Sequence, residues 1–209
     1  MSADASGTPR RRWLASALTL AAIGAAFAAV LSLVDRATHA RIARNEQASI
    51  ATRLDALIPR DAHDNDLLTD RTDFVAPELL GTARPMPVYR ARLQGEPVAA
   101  IVRSVAPDGY RGPIELLVAI RRDGTLIGVQ VLAHHETPGL GDAFEKRDAG
   151  WLDRFAGRSL SDPPQQRWTV RKDGGDFDAF TGATITPRAI VHGVRRTLEF
   201  YALNEERIF

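Results

Sequence analysis

The chain has 209 residues, enough for one domain with a real core plus an anchor and too few for two full domains. Its 27 Lys and Arg nearly balance 26 Asp and Glu, so no basic excess points to nucleic acid, and no nucleic-acid partner is expected. Without a single cysteine, thiolate catalysis, disulfides, cysteine-held zinc and iron–sulfur clusters are excluded from this chain.

Residues 1–12 end in three arginines, Arg10 to Arg12, and 22 uncharged residues follow, Trp13 to Val34. As a helix this run measures about 33 Å, close to the thickness of a bilayer core. A cleaved signal peptide is the rival reading, because small-residue sites such as "AAFAA" lie within it. The apolar run is longer than a signal core, which favours a retained transmembrane anchor over 13–34. The arginines predict a cytoplasmic N-terminus (1–12) and an extracytoplasmic domain, although Arg36, Arg41 and Arg44 on the far side blunt the charge asymmetry.

Residues 35–59 read as a connecting helix, with Ile42, Ile50, Leu54, Leu57 and Ile58 roughly on one face and Pro59 at its end. Residues 60–85 are polar and proline-marked and read as mostly irregular, with an apolar patch "FVAPELL". The domain, 60–209, has its body from Met86 onward. "MPVYRARL", "PVAAIVRSV", "IELLVAIR" and "TLIGVQVLA" are Val/Ile/Leu-rich runs parted by the turns "QGEP", "PDGYRGP" and "RDG". Asp123-Gly124 is a hairpin signal. Short turns between successive strands imply an antiparallel sheet. Further on, 148–157 reads as a short helix and 167–172, "RWTVRK", as one more strand. "TPRAIVHGVRRTLEFYALNEE" reads as a helix with Thr186 at the N-cap and Pro187 first inside it. Ile190, Val194, Leu198 and Tyr201 then form its apolar stripe. The expected fold class is α+β: one transmembrane helix, then a single domain with an antiparallel sheet flanked by helices.

Two loops concentrate chemistry. "HHETPGLGD", His134 to Asp142, follows a strand. By composition it is a turn leaving the sheet edge or one wall of a ligand site, with glycines for close approach and Leu140 as an apolar face. His134 and His135 are adjacent and point to opposite faces of a strand, so no metal site is expected there. "DAFTGATITPR" runs from an acidic turn into a helix start, where main-chain N–H groups and the helix dipole favour an anion. Neither "GxxxxGK[ST]" nor "GxGxxG" occurs, which argues against nucleoside triphosphate and dinucleotide sites. No general base stands near Thr184 in the sequence, so no self-activated nucleophile and no catalytic residue is assigned.

Asp178, Thr181, Gly182, Ala183 and Thr184 in "DAFTGAT" resemble the Asp-x-x-[Ser/Thr]-Gly-Ala-Thr signal at which a flavin transferase attaches FMN. "HHETPGLGD" resembles the companion motif of the same FMN-binding domain, and "APDGYRGPIELLVAI" is similar to its preceding strand region. With the anchor and the length, the chain resembles the G-subunit family of Rnf-type ion-translocating electron-transport complexes. The resemblance implies FMN joined by a phosphoester to Thr184, with Asp178 to Thr184 read by a transferase that uses FAD as donor. Thr137, Leu140, Thr181, Gly182 and Ala183 are implied flavin neighbours. It also implies the A, B, C, D and E subunits as partners, a bacterial inner-membrane location with the domain in the periplasm, and electron relay between NADH/ferredoxin-type chemistry and ion movement, with no turnover of its own. Arg188 either pairs with the phosphate or is solvated; Asp178 has the alternative of stabilising its own turn. Two rivals stand beside this reading: the C-subunit family of sodium-pumping NADH:quinone reductases, which shares the motifs, and a membrane-tethered binding or structural domain without a redox cofactor.

Overall fold

A computed structural model describes residues 9–145 and 150–209. The chain falls into two units, one up to Ile50 and the domain Ala51–Phe209. Helix α1 runs from Pro9 to Leu57 without interruption, so the expected boundary at residue 34 is a change of composition and not a break in the helix. Trp13–Thr38 is long and apolar enough to cross a membrane, and its side chains are exposed within the chain. Leucine, alanine and valine there find no burial within the described chain, and a bilayer core is the environment that suits them.

In the domain, β1 (Arg71–Phe74), β2 (Met86–Leu93), β3 (Glu96–Ala106), β4 (Ile114–Arg121) and β5 (Leu126–Ala133) form one sheet in the order β1-β2-β3-β4-β5. Every neighbour pairs antiparallel. The hairpin at Asp123-Gly124 is present: Gly124 takes a φ of 82°, and the Asp123 carboxylate accepts the Thr125 amide at 2.9 Å.

Both faces of the sheet are covered. Ile114, Leu116, Val118 and Ile120 of β4 join Ile190, Val191, Val194 and Leu198 of α3 (Ile185–Ile208) in one core. The alternate residues Leu117 and Ala119 are also fully buried. On that second face the end of α1 closes over β5. A Cβ at Gly128 would lie 3.2 Å from the Leu57 side chain, and Arg53 donates to the Val131 carbonyl at 2.8 Å.

Three expectations need correction, and a fourth gains detail. Residues 60–85 are mostly irregular, as expected, and within them stand the short β1 and α2 (Pro77–Leu80), which the sequence does not signal; Asp70 clips this stretch to β2 through Arg90 at 2.6 Å and Arg92 at 3.0 Å. "RWTVRK" is not a strand. Trp168 and Val170 turn inward as a strand's alternate residues would, but single 3-10 turns flank them and only a bridge from Val170 to Phe177 forms. The expected helix at 148–157 shrinks to a 3-10 turn, Leu152–Phe155; Asp148 and Ala149 lie outside the described residues. Helix α3 begins at Ile185, and Thr184, not Thr186, holds the N-cap position. The Thr186 hydroxyl is instead drawn to a carboxylate 50 residues away in sequence.

Candidate functional site

Three segments converge at the start of α3. The loop between β3 and β4 contributes Tyr110. The loop after β5 contributes Glu136, Thr137, Leu140 and Gly141. The third contributes Gly182 to Thr186. Together they line a pocket of about 180 Å³. The two motifs lie far apart in sequence; the meander carries the end of β5 to the end of the sheet where α3 begins.

The second motif is shaped by a tight turn. The Ala183 amide donates to the Phe180 carbonyl at 3.0 Å, and Gly182 sits third in the turn with a φ of 80°. That is the glycine position of a type II turn, closed to a side chain without strain. Thr184 follows with φ −84° and ψ −27°, half-buried, its carbonyl accepting the Arg188 amide at 3.3 Å. Its hydroxyl makes no cap bond, although the N-cap is where threonine ordinarily gives one. The first amides of α3 have no intrahelical acceptor, and the dipole adds positive potential beside that hydroxyl.

The first motif is held as a turn: the amides of Leu140 and Gly141 both donate to the Thr137 carbonyl at 3.1 Å, and Gly139 N–H donates to Asp142 at 2.7 Å. Leu140 touches Gly182's side of the pocket, 3.9 Å from where a Cβ would stand. His134 serves the loop itself. Its Nδ1 accepts the Glu136 amide at 3.1 Å, its Nε2 pairs with Glu145 at 2.9 Å, and its ring meets Phe144 edge-on.

The structure brings Thr137, Leu140, Gly182, Ala183 and Thr184 to one pocket. Thr181 is exposed and is not among the lining residues. Asp178 lies apart: its carboxylate pairs with Arg154 and, at 3.1 Å, with Arg171, while its carbonyl accepts the Trp151 indole N–H at 2.8 Å. Arg188 is committed to Asp173 through two bonds of 2.6 and 3.0 Å. That pairing holds the Asp173 carboxyl below its usual range, chiefly through the Arg188 hydrogen bond. Sequence reasoning gives Glu136 no role of its own within its loop. It is 4% exposed, accepts the Thr186 hydroxyl at 2.5 Å and the Arg111 amide at 3.2 Å, and ties all three segments together. No sequence signal couples Glu136 to Thr186; only the fold does.

A pocket of this volume is below the roughly 300–1,000 Å³ of sites that enclose a whole small ligand. It takes one part of a larger group. Around its mouth Tyr110, Leu140 and Ile185 expose apolar side chains (66, 52 and 43%) that suit a flat ring lying against the surface. A hydroxyl at a helix N-terminus beside an apolar rim fits a group that is part phosphate and part aromatic. Among the described residues no Lys or Arg lines the pocket, so a free phosphate has no ionic clamp there. A larger hollow of about 420 Å³ lies elsewhere, around Arg60, His63 and Asp64, and shares no residue with either motif.

Residues 109–199 match the FMN-binding domain family. The chain is 44% identical to the G subunit of the ion-translocating oxidoreductase complex of Vibrio atlanticus over 191 residues, 91% of each chain. The protein of the same name from Pseudomonas aeruginosa is 44% identical over 199 residues, 95% of this chain and 93% of its own. That from Shewanella baltica is 43% identical over 180 residues, 86% and 85%.

Proposed function

The chain belongs to the family of G subunits of ion-translocating oxidoreductase complexes, and we propose that its FMN is held covalently, by a phosphoester to the Thr184 hydroxyl. It is an FMN-carrying subunit of such a membrane complex, with one apolar helix fit to span the bilayer. The observation that carries the covalent reading is the pocket's charge. FMN brings a phosphate, yet no basic side chain among the described residues lines the pocket and Arg188 is occupied by Asp173. A non-covalent flavin would be lost whenever its free concentration fell below its dissociation constant. A bond to Thr184 replaces the missing ionic clamp.

Bound FMN supplies the redox chemistry, accepting electrons from one partner in the complex and passing the same number to the next. The chain's residues position it. The Thr184 hydroxyl anchors the phosphate, and the first amides of α3 face its remaining charge. Leu140, Tyr110 and Ile185 give an apolar rim for the ring. Thr137 offers a hydroxyl in the pocket wall, and Thr181, Gly182 and Ala183 form the turn that leads to Thr184. The sequence offers no general base by its spacing to Thr184, which accords with a separate flavin transferase acting in trans with FAD as donor and reading Asp178 to Thr184. The domain faces the periplasm, the A, B, C, D and E subunits are its partners, and the relay couples NADH/ferredoxin-type electron transfer to ion movement. Similarity to G subunits over nearly the full length of both chains supports this reading over the C-type alternative.

The test is the intact mass of the chain co-expressed with its flavin transferase, followed by peptide mapping of 173–195. The expected result is one FMN less one water on the peptide that holds Thr184, lost in Thr184→Val. Covalent flavin retained in that variant overturns the assignment. An unmodified wild-type chain, with the transferase active on a control, favours the tethered domain without a cofactor.

A further inference from the structure

We propose that Glu136 sets the reduction potential of the flavin, as a fixed negative charge in the pocket wall that opposes the arrival of electrons. The proposal rests on the reading of this pocket as the FMN site.

Glu136 lines the pocket and is 4% exposed. Its two hydrogen-bond donors, the Thr186 hydroxyl at 2.5 Å and the Arg111 amide at 3.2 Å, are both neutral. Among the described residues no cation pairs with it. Arg111 gives its main chain, Arg188 is taken by Asp173, and His134 offers an acceptor nitrogen to the Glu136 amide while its other nitrogen faces Glu145. A buried carboxylate without a cation is costly to keep ionised. The carboxylate is closely packed on the side of Gly141. A Cβ at Gly141 would stand 2.7 Å from Glu136 Oε2 and 3.1 Å from Thr186 Oγ1, so backbone is pressed against the carboxylate and only glycine leaves it room.

Holding the loops together does not by itself need the charge. A glutamine would fill the same space, accept the Arg111 amide through its oxygen and donate its NH₂ to the Thr186 hydroxyl. What glutamine loses is the field. Each electron placed on a ring seated at the pocket's rim adds negative charge near a carboxylate in the pocket wall that bulk water screens poorly, so reduction is disfavoured and the midpoint lies low. Glu136 itself gains and loses no electron and no bond; the electrons enter from the flavin's donor and leave to its acceptor.

The experiment uses the full chain, loaded by co-expression with the transferase, with FMN confirmed by mass. Spectroelectrochemical titration compares wild type with Glu136→Gln. The expected result, read on the fraction of Glu136→Gln that is folded and loaded, is a rise of about tenfold in the one-electron reduction equilibrium, about 59 mV. An unmoved potential in a loaded, folded variant overturns the proposal. Should Glu136→Gln fail to fold or load, redox-difference infrared spectra of the wild type with ¹³C-labelled glutamate serve instead. A labelled carboxylate band that shifts on reduction supports the proposal, and a silent glutamate region overturns it. A wild-type chain without FMN overturns the site reading and this proposal with it, whereas FMN present with an unmoved potential overturns this proposal alone.

Discussion

Arg188 and Asp173 are joined by two hydrogen bonds of 2.6 and 3.0 Å, and this pair turns the first-turn cation of α3 away from the pocket mouth. Sequence leaves open whether Arg188 serves a phosphate; the geometry gives it to Asp173. Asp173→Asn releases the guanidinium one turn from Thr184. The expected outcome is a rise of about three- to tenfold in the non-covalent affinity of the apo chain for FMN, strongest at low salt. Flavin fluorescence quenching measures it. An affinity equal to wild type at low salt shows that Arg188 does not reach the pocket when released.

Gly182 is the position where the turn has no tolerance for a side chain. Its φ of 80° is left-handed, and an alanine there costs about 1–2 kcal/mol. Space is not the obstacle, since a Cβ would meet only Leu140 at 3.9 Å. Gly182→Ala is therefore expected to lower the thermal midpoint by about 2–8 °C while loosening the 180–183 turn. Differential scanning calorimetry gives the first, and hydrogen exchange at Ala183, whose amide closes the turn, gives the second. An unchanged midpoint means the turn relaxes at no cost.

The sheet from β2 to β5 and its tight turns were legible because each strand carries enough apolar residues to read against its polar turns. β1 was not. "RTDF" buries only Phe74, so four residues show no alternation, and its strand character comes from β2 beside it. "RWTVRK" errs in the other direction: its alternation is real, but a strand needs a continuous partner and Val170 finds only the single bridge to Phe177. The two motifs were legible as segments, whereas their meeting depends on where the meander ends. Thr186 shows how local rules fail at a site. Thr-Pro at a helix start signals a cap, yet the hydroxyl bonds Glu136 instead, and the cap position passes to a Thr184 whose hydroxyl makes no cap bond.

Asp70 gives the domain a pH dependence whose sign follows from its surroundings. Burial raises its carboxyl, but hydrogen bonds and charge from Arg92 and Arg90 outweigh this and hold it below the ordinary value of 3.8. A depressed carboxyl stabilises the fold above its unfolded value, and that contribution disappears as pH falls through the folded one. Because the cluster is still partly solvated, its contribution is about 1 kcal/mol. Urea titrations of wild type and Asp70→Asn are expected to differ by that amount from about pH 5 to pH 7 and to converge below about pH 4. A gap that stays constant down to pH 3 assigns the stabilisation to packing rather than to charge.

Phe180 is the last fixed point before the exposed residues Thr181 and Gly182. Its ring meets Trp151 at 5.0 Å and Phe144 at 6.3 Å, and Trp151 also donates to the Asp178 carbonyl, so residues 178–180 are pinned while Thr181 and Gly182 stand exposed. The turn is thus a short exposed stretch with a fixed end on each side, Phe180 before it and α3 after it. Phe180→Ala removes the first of these. The ring is half-buried, so the cost is expected below the roughly 3–5 kcal/mol of a fully buried Phe→Ala, at about 2 kcal/mol. Hydrogen exchange should accelerate at Ala183, whose amide bonds the Phe180 carbonyl, and stay unchanged in the body of α3, where Ile190, Val191, Val194 and Leu198 share a core with β4. Acceleration spreading along the whole helix would show instead that Phe180 supports α3 itself, and no acceleration anywhere would show that the turn holds its shape without the aromatic anchor.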